Sequence, residues 1–253
     1  MVRKLFTPRW ILIHLGVIAL IALMANLGVW QLHRLESKRL INEKVSTRTT
    51  EPVIPYAQAM RESPSEPSIL EWRRVALTGS YITDKPMTLL NRSSNGAAGY
   101  HSLVPFALES GEVMIVDRGF VPLATQNPTA PKGPLTIVGY LRLSQTRSTL
   151  GAVDNTDPSN TEFQRVDIPL IMKHVGKPPL SHFLQLAKES PSTNATWPEP
   201  APLPEADEGP HFSYAVQWFF FCLVALGAWV VVIRRRLRET AVVSDPAQAE
   251  TSA

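Results

Sequence analysis

Gly209-Pro210-His211-Phe212-Ser213-Tyr214-Ala215-Val216-Gln217-Trp218-Phe219-Phe220-Phe221-Cys222 opens an apolar run that continues through Leu223-Val224-Ala225-Leu226-Gly227-Ala228-Trp229-Val230-Val231-Val232-Ile233 and stops at Arg234-Arg235-Arg236-Leu237-Arg238. An aromatic-rich lead-in, an apolar body and a basic exit describe a transmembrane helix over 211–233. On that helix His211, Tyr214 and Trp218 fall at i, i+3 and i+7 and share one stripe.

A second run of the same kind, Trp10 to Val29, lies near the N-terminus. About 20 apolar residues suffice to cross a hydrocarbon core of roughly 30 Å. A secretory leader is the competing reading, but its apolar region is usually roughly 7–15 residues and ends at a small-x-small cleavage site. This run is longer and leads into Gly28-Val29-Trp30-Gln31-Leu32-His33-Arg34, so an uncleaved anchor over 10–30 is expected. Arg3, Lys4 and Arg9 precede the first span, and the arginine cluster follows the second. Both termini, 1–9 and 234–253, are therefore expected on the cytoplasmic side, with the segment between the spans across the membrane. Arg34, Lys38, Arg39 and Lys44 then lie on the translocated side, which a long intervening segment tolerates. The first span starts after only nine residues, leaving no room for a mitochondrial transit peptide, so a bacterial cytoplasmic membrane is the expected location.

The region 31–187 is expected to form the extracytoplasmic domain. Its first part, 31–48, continues the first helix with mixed charge, and Pro52, Pro55, Pro64 and Pro67 mark 49–69 as a loop. From Trp72 short alternating runs begin: 72–81, 87–91, 100–108, 112–116 after the turn Glu109-Ser110-Gly111, 135–143, 162–166 and 182–186. Residues 168–175, with Pro169 at their start, read as a short helix. Roughly 115 residues lie between Trp72 and Leu186, enough to bury a core. The fold class is thus two transmembrane helices bracketing an all-β, barrel- or sandwich-like domain. Residues 188–210, with Pro191, Pro198, Pro200, Pro202, Pro204 and Pro210, read as an extended linker. The tail beyond Arg238 is expected to be disordered.

The chain has 253 residues, a net charge of +3 and a single cysteine, Cys222. No disulfide framework or CxxC pair is possible, and the basic residues cluster beside the apolar runs rather than among aromatics, which excludes a nucleic-acid-binding reading. GxSxG, HExxH, GxGxxG and phosphate-loop patterns are lacking, so no enzyme is expected. His174 and His182 give only weak support for a metal pair. His211 admits two readings. It is an interfacial residue in an aromatic belt with Tyr214 and Trp218, or an imidazole ligand for haem iron beside a dry, aromatic slot.

Four stretches, in this order, resemble the Surfeit-locus family of cytochrome c oxidase assembly proteins. They are Gly28-Val29-Trp30-Gln31-Leu32-His33-Arg34-Leu35-Glu36-Ser37-Lys38, Gly79-Ser80-Tyr81, Val116-Asp117-Arg118-Gly119-Phe120-Val121-Pro122 and His211-Phe212-Ser213-Tyr214-Ala215-Val216-Gln217-Trp218-Phe219. Asp117 and Phe120 depart from the family's usual Asn and Trp. The resemblance implies an assembly factor for haem-copper oxidase that assists insertion of haem a into the catalytic subunit. It implies partnership with that subunit, other assembly factors and the bilayer, and it makes His211 the haem contact. Tyr214 and Trp218 would then wall the porphyrin. Arg118 is a candidate partner for a haem propionate, because its fork suits a carboxylate. The alternative function is a membrane scaffold that grips oxidase subunits without touching haem.

Overall fold

The computed structural model describes residues 6–63, 66–192 and 195–242. In chain order the elements are α1 (Pro8–Thr50), β1 (Ile54–Pro55), α2 (Tyr56–Glu62), a 3-10 turn (Pro67–Leu70), β2 (Arg74–Tyr81), β3 (Met87–Ser94), β4 (Ala97–Leu108), β5 (Val113–Pro122), β6 (Leu135–Leu143), β7 (Glu162–Phe163), α3 (Ile168–Val175), β8 (His182–Ser190) and α4 (His211–Val242). They divide into two compact units, residues 1–43 with 205–253 and residues 44–204.

The first unit contains most of α1 and all of α4, both long and apolar enough to cross a bilayer. The helices run antiparallel. Gln31 meets His211, Gly28 meets Phe219, the Ile21 carbonyl faces Cys222 Sγ at 3.6 Å and His14 meets Trp229. Gly28 sets the close approach, because a Cβ there would lie 2.8 Å from Phe219 Cζ. Beyond the apolar stretch α1 continues without a break, as its mixed-charge sequence predicts. There Arg39 forks onto Glu208, Nε to Oε1 at 2.8 Å and Nη2 to Oε2 at 2.9 Å, and Asn42 donates to the Asp207 carbonyl. α4 likewise runs past the arginine cluster to Val242; the tail expected to be disordered lies, from residue 243, outside the described residues.

The second unit is a mixed sheet ordered β1-β2-β6-β8-β5-β4-β3-β7 with an additional β2–β4 pairing. That pairing closes β2, β6, β8, β5 and β4 into a five-stranded barrel, so the barrel alternative holds and the sandwich does not. β2 is shared between two partners: Arg74 to Gly79 pair with β6, and Gly79 to Tyr81 pair with β4. Gly79 is the common residue, opposite both Leu135 and Leu108. A Cβ at Gly79 would be driven into the Ala107 carbonyl oxygen, so the corner requires glycine. β3 takes over the same edge of β4 beyond the closure.

β5 is buried at every position from Val113 to Val121. One face, with Met114 and Val116, joins Leu77, Phe106, Ile137, Leu141 and Leu184 in the main core. The other, with Val113 and Ile115, packs with Leu103, Phe183 and the α3 residues Ile171 and Met172. α3 has the bounds its sequence predicts. Asp167 caps it by accepting from Leu170 N at 3.2 Å, Pro169 occupies the first turn, and Gly176 closes it at φ 75°.

Three expectations change. The domain is not all-β: α2 and α3 belong to it, and β1–β2, β3–β7 and β5–β8 pair in parallel. Residues 49–69 are not simply a loop, because α1 reaches Thr50 and α2 and the 3-10 turn follow. Tyr56, Ala59 and Leu70 bury themselves in the main core and so order this proline-rich stretch. Finally, 188–210 is not a free linker. Its first residues complete β8, and Glu199 bridges to β5 through Phe120 N–H to Glu199 O at 2.7 Å and Glu199 N–H to Phe120 O at 2.9 Å. Trp197 packs edge-on to Phe120, 6.0 Å between centroids, and Gln185 Nε2 donates to the Ala201 carbonyl. Residues 195–204 are a strap tied across the barrel.

Two predictions follow from the packing. Gly79→Val should cost about 1–3 kcal/mol or more in denaturant unfolding of the detergent-solubilised protein. Gly16→Ala, which meets nothing within 4 Å, should leave stability unchanged. Equal stability of the two variants would contradict the corner. His182 is buried, its Nε2 donates to the Pro67 carbonyl at 2.8 Å, and burial holds its pKa below the ordinary value of 6.5. As pH falls the unfolded chain takes up that proton first, so stability should drop below about pH 6.5. His182→Gln should flatten this dependence, and an unchanged melting profile in the variant would count against it.

Candidate functional site

Two clusters gather the residues singled out in the sequence. The first lies on the helix pair. His211 begins α4, and its Nδ1 stands 2.8 Å from Gln31 Oε1 on α1. An amide oxygen only accepts, so Nδ1 is the donor, and in the neutral ring it is Nε2 that carries the lone pair. Nε2 has no hydrogen bond among the described residues. Gly209, at φ 67°, lies just before it, and a Cβ there would stand 3.5 Å from Nε2. Asp207 supports the turn by accepting from Gly209 N at 2.8 Å. Trp218 is half-buried and edge-on to Phe221, 6.0 Å between centroids, whereas Tyr214 is 47% exposed. Ala215, not Tyr214, is the residue buried at this turn of α4.

At the other end of the pair, Trp229 Nε1 donates to His14 Nδ1 at 3.1 Å, with Trp10 5.8 Å away by ring centroid. Helix packing therefore accounts for His14.

The second cluster is inside the barrel. Arg118 is 3% exposed; its Nε donates to Glu189 Oε1 at 3.1 Å and its Nη1 to the Pro128 carbonyl at 3.2 Å. Tyr81 donates to the same Glu189 oxygen at 2.7 Å, and the Arg118 guanidinium lies 5.4 Å from the Tyr81 ring centroid. Burial, and then the Glu189 charge, push the Tyr81 phenol far above its ordinary pKa, so it remains a donor. Arg118 is thus engaged within the domain by a buried carboxylate. Gly119 follows at φ 112° because a side chain there would collide with the Glu199 backbone of the strap. On the opposite face of β5, Asp117 binds His101 Nδ1 at 2.9 Å and accepts from Gly119 N at 3.0 Å. The histidines considered as a metal pair point elsewhere: His174 to the Pro158 carbonyl, His182 to Pro67. Among the described residues no group of three or more His, Cys, Asp or Glu side chains is placed to hold a metal ion.

The four quoted stretches thus meet two by two: Gln31 with His211 on the helices, Tyr81 with Arg118 in the barrel. The sequence profile of the SURF1 family matches residues 18–223, which takes in all four. The chain belongs to the SURF1 family. An uncharacterized SURF1-like protein of Mycobacterium tuberculosis is 28% identical over 251 residues, covering 94% of this chain and 89% of the relative. Surfeit locus protein 1 of Xenopus tropicalis is 27% identical, covering 81% and 70%, and a SURF1-like protein of Rickettsia bellii is 27% identical, covering 87% and 88%.

In this SURF1-family protein, reasoning from sequence missed Glu189 and His101. Glu189 sits in what reads as the start of the linker, and only the extension of β8 turns it inward. Arg118→Ala should destabilise the protein by about 3–5 kcal/mol, since it leaves Glu189 buried without its partner. Replacing both, as Arg118→Met with Glu189→Leu, should restore much of the loss. A single variant as stable as the parent in denaturant would overturn the role given to the pair.

Proposed function

We propose that this protein is a twice-spanning membrane assembly factor for haem-copper cytochrome c oxidase, and that it attends haem a before insertion into the catalytic subunit. Membership of the SURF1 family supports the assembly role. The observation that carries the haem reading is His211, held through Nδ1 by Gln31 with Nε2 bare beside Gly209. This is the tautomer that an iron-ligating histidine needs, with its second nitrogen fixed by a neighbouring acceptor. The residues therefore fit haem a as cargo, whose iron accepts one axial imidazole nitrogen. His211 would supply that nitrogen, Gln31 would hold the ring, and Trp218 and Tyr214, on the same stripe, would offer aromatic faces to the macrocycle.

The basic residues at both ends support a topology with cytoplasmic termini and the barrel across a bacterial cytoplasmic membrane. Phe212, Val216, Phe220 and Leu223 are exposed along α4, an apolar surface suited to lipid and to helices of the oxidase subunit.

Protein purified from cells that synthesise haem a should carry its visible absorption spectrum, and His211→Ala should lose it. Gln31→Leu should leave the protein folded yet weaken haem retention by roughly 10–100-fold, as loss of an outer-shell partner does. A spectrum unchanged in His211→Ala would sink the ligand assignment. Protein that co-purifies oxidase subunits and never carries haem would establish the scaffold reading instead.

A further inference from the structure

A band of polar side chains crosses five strands on the outer face of the barrel sheet: Arg92 on β3, His101 on β4, Asp117 on β5, Gln185 on β8 and Arg142 on β6. They line a cavity of about 360 Å³ whose roof is residues 201–204 of the strap. That volume lies within the range of small-molecule sites. Arg92 is there because β3 breaks register between Leu89 and Arg92, with Asn91 at φ 57°. In an unbroken strand residues three apart face opposite sides; here Leu89 and Arg92 line the same cavity.

Neither guanidinium has a direct hydrogen bond to a carboxylate among the described residues. Among the described residues Arg92 donates to the carbonyls of Asn91 and Gln164, at 3.4 and 3.3 Å, and to no side chain. Arg142 lies over the Trp72 ring at 3.5 Å and donates Nη1 to Gln185 Oε1 at 2.9 Å. Its Nε is buried without a hydrogen bond among the described residues, and the nearest carboxylate, Glu71, is 3.9 Å away and bonded to Lys44. Asp117 is the one carboxylate lining the cavity, and it is taken by His101 and Gly119 N. Two guanidiniums thus share Asp117, already bonded to His101, and Glu71, 3.9 Å from Arg142 and bonded to Lys44; burial disfavours the charge on both arginines, and these carboxylates offset it only in part. Apart from Gln145, the remaining walls, Val166, Phe183 and Leu203 among them, are apolar.

We propose that this cavity binds a small organic carboxylate, its anionic group between Arg92 and Arg142 and its apolar body against Phe183, Val166 and Trp72. Guanidinium forks match a carboxylate, and the apolar walls select an organic acid over a free inorganic oxyanion. The proposal stands apart from the haem reading, since it uses none of the residues on α4.

Calorimetric titration of the full-length protein in detergent with hexanoate, benzoate and inorganic phosphate, each against chloride at equal ionic strength, tests it. Saturable binding of hexanoate or benzoate is expected, weakened at least about 10-fold by Arg92→Gln or Arg142→Gln, as loss of a charged hydrogen bond implies. Arg61→Gln, which removes an exposed arginine on α2, should bind as the parent does. Arg142→Lys keeps the charge and the stem beside Trp72, so it serves where the glutamine variant melts early; weaker but retained binding is expected. Absence of carboxylate binding in the parent, binding indifferent to both arginines, or phosphate bound as tightly as benzoate would each overturn the proposal.

Discussion

At Gly79 the backbone of β2 gives up its hydrogen bonds to β6 and takes up those of β4, and this exchange closes the barrel. A strand that kept one partner would leave an open edge on β4 and a second on β2. Closure removes both and turns the inward faces of five strands into one core. It also fixes what the polar residues can do. Tyr81, two residues beyond the corner, is carried inward onto Glu189 and Arg118, where the ion pair is largely buried. The outward face of the same strands is left for α3 and for the band from Arg92 to Arg142.

The helix pair obeys a different constraint. Both helices are long and apolar enough to cross a bilayer, and within a bilayer helices associate through close packing and polar contacts rather than through exclusion of water. Gly28 and Ala215 supply the small surfaces, and the Gln31–His211 and Trp229–His14 hydrogen bonds supply polar contacts at the two ends. The bond that anchors one end of the pair also sets the tautomer of His211. Packing of the helices and the tautomer of the imidazole therefore share one interaction.

Features coded locally were legible in the sequence. The two apolar helices, the alternation of β6 and the capped α3 follow from periodicity and from Asp167, Pro169 and Gly176. Features that depend on distant pairing were not. α2 is seven residues long and begins beside a proline; burial of Tyr56 and Ala59 sustains it, and that burial exists only once the barrel does. β5 is covered on both faces, so its sequence carries no alternation to say that Arg118 points in and Asp117 out. The motif marked Arg118 as notable without revealing that Glu189 satisfies it. His101, Arg92 and Arg142 come from three strands and meet through register and a bulge, neither of which is visible in any one stretch. His211 was legible as a candidate from its position at the helix start, but its partner Gln31 was not.

The strap has a consequence for the order in which the molecule is made. Every strand of the barrel, and the segment from Trp197 to Pro204 that crosses it, precedes α4 in the chain. Since domains form as units while synthesis proceeds, the barrel can complete its hydrogen bonds, and the strap can seat on Phe120, before the second apolar helix emerges. The cavity is roofed as the last act of folding the domain, and only the short segment 205–210 then separates a finished barrel from the start of α4. The pairing of His211 with Gln31 has to wait for a helix whose residues all follow those of the barrel in the chain.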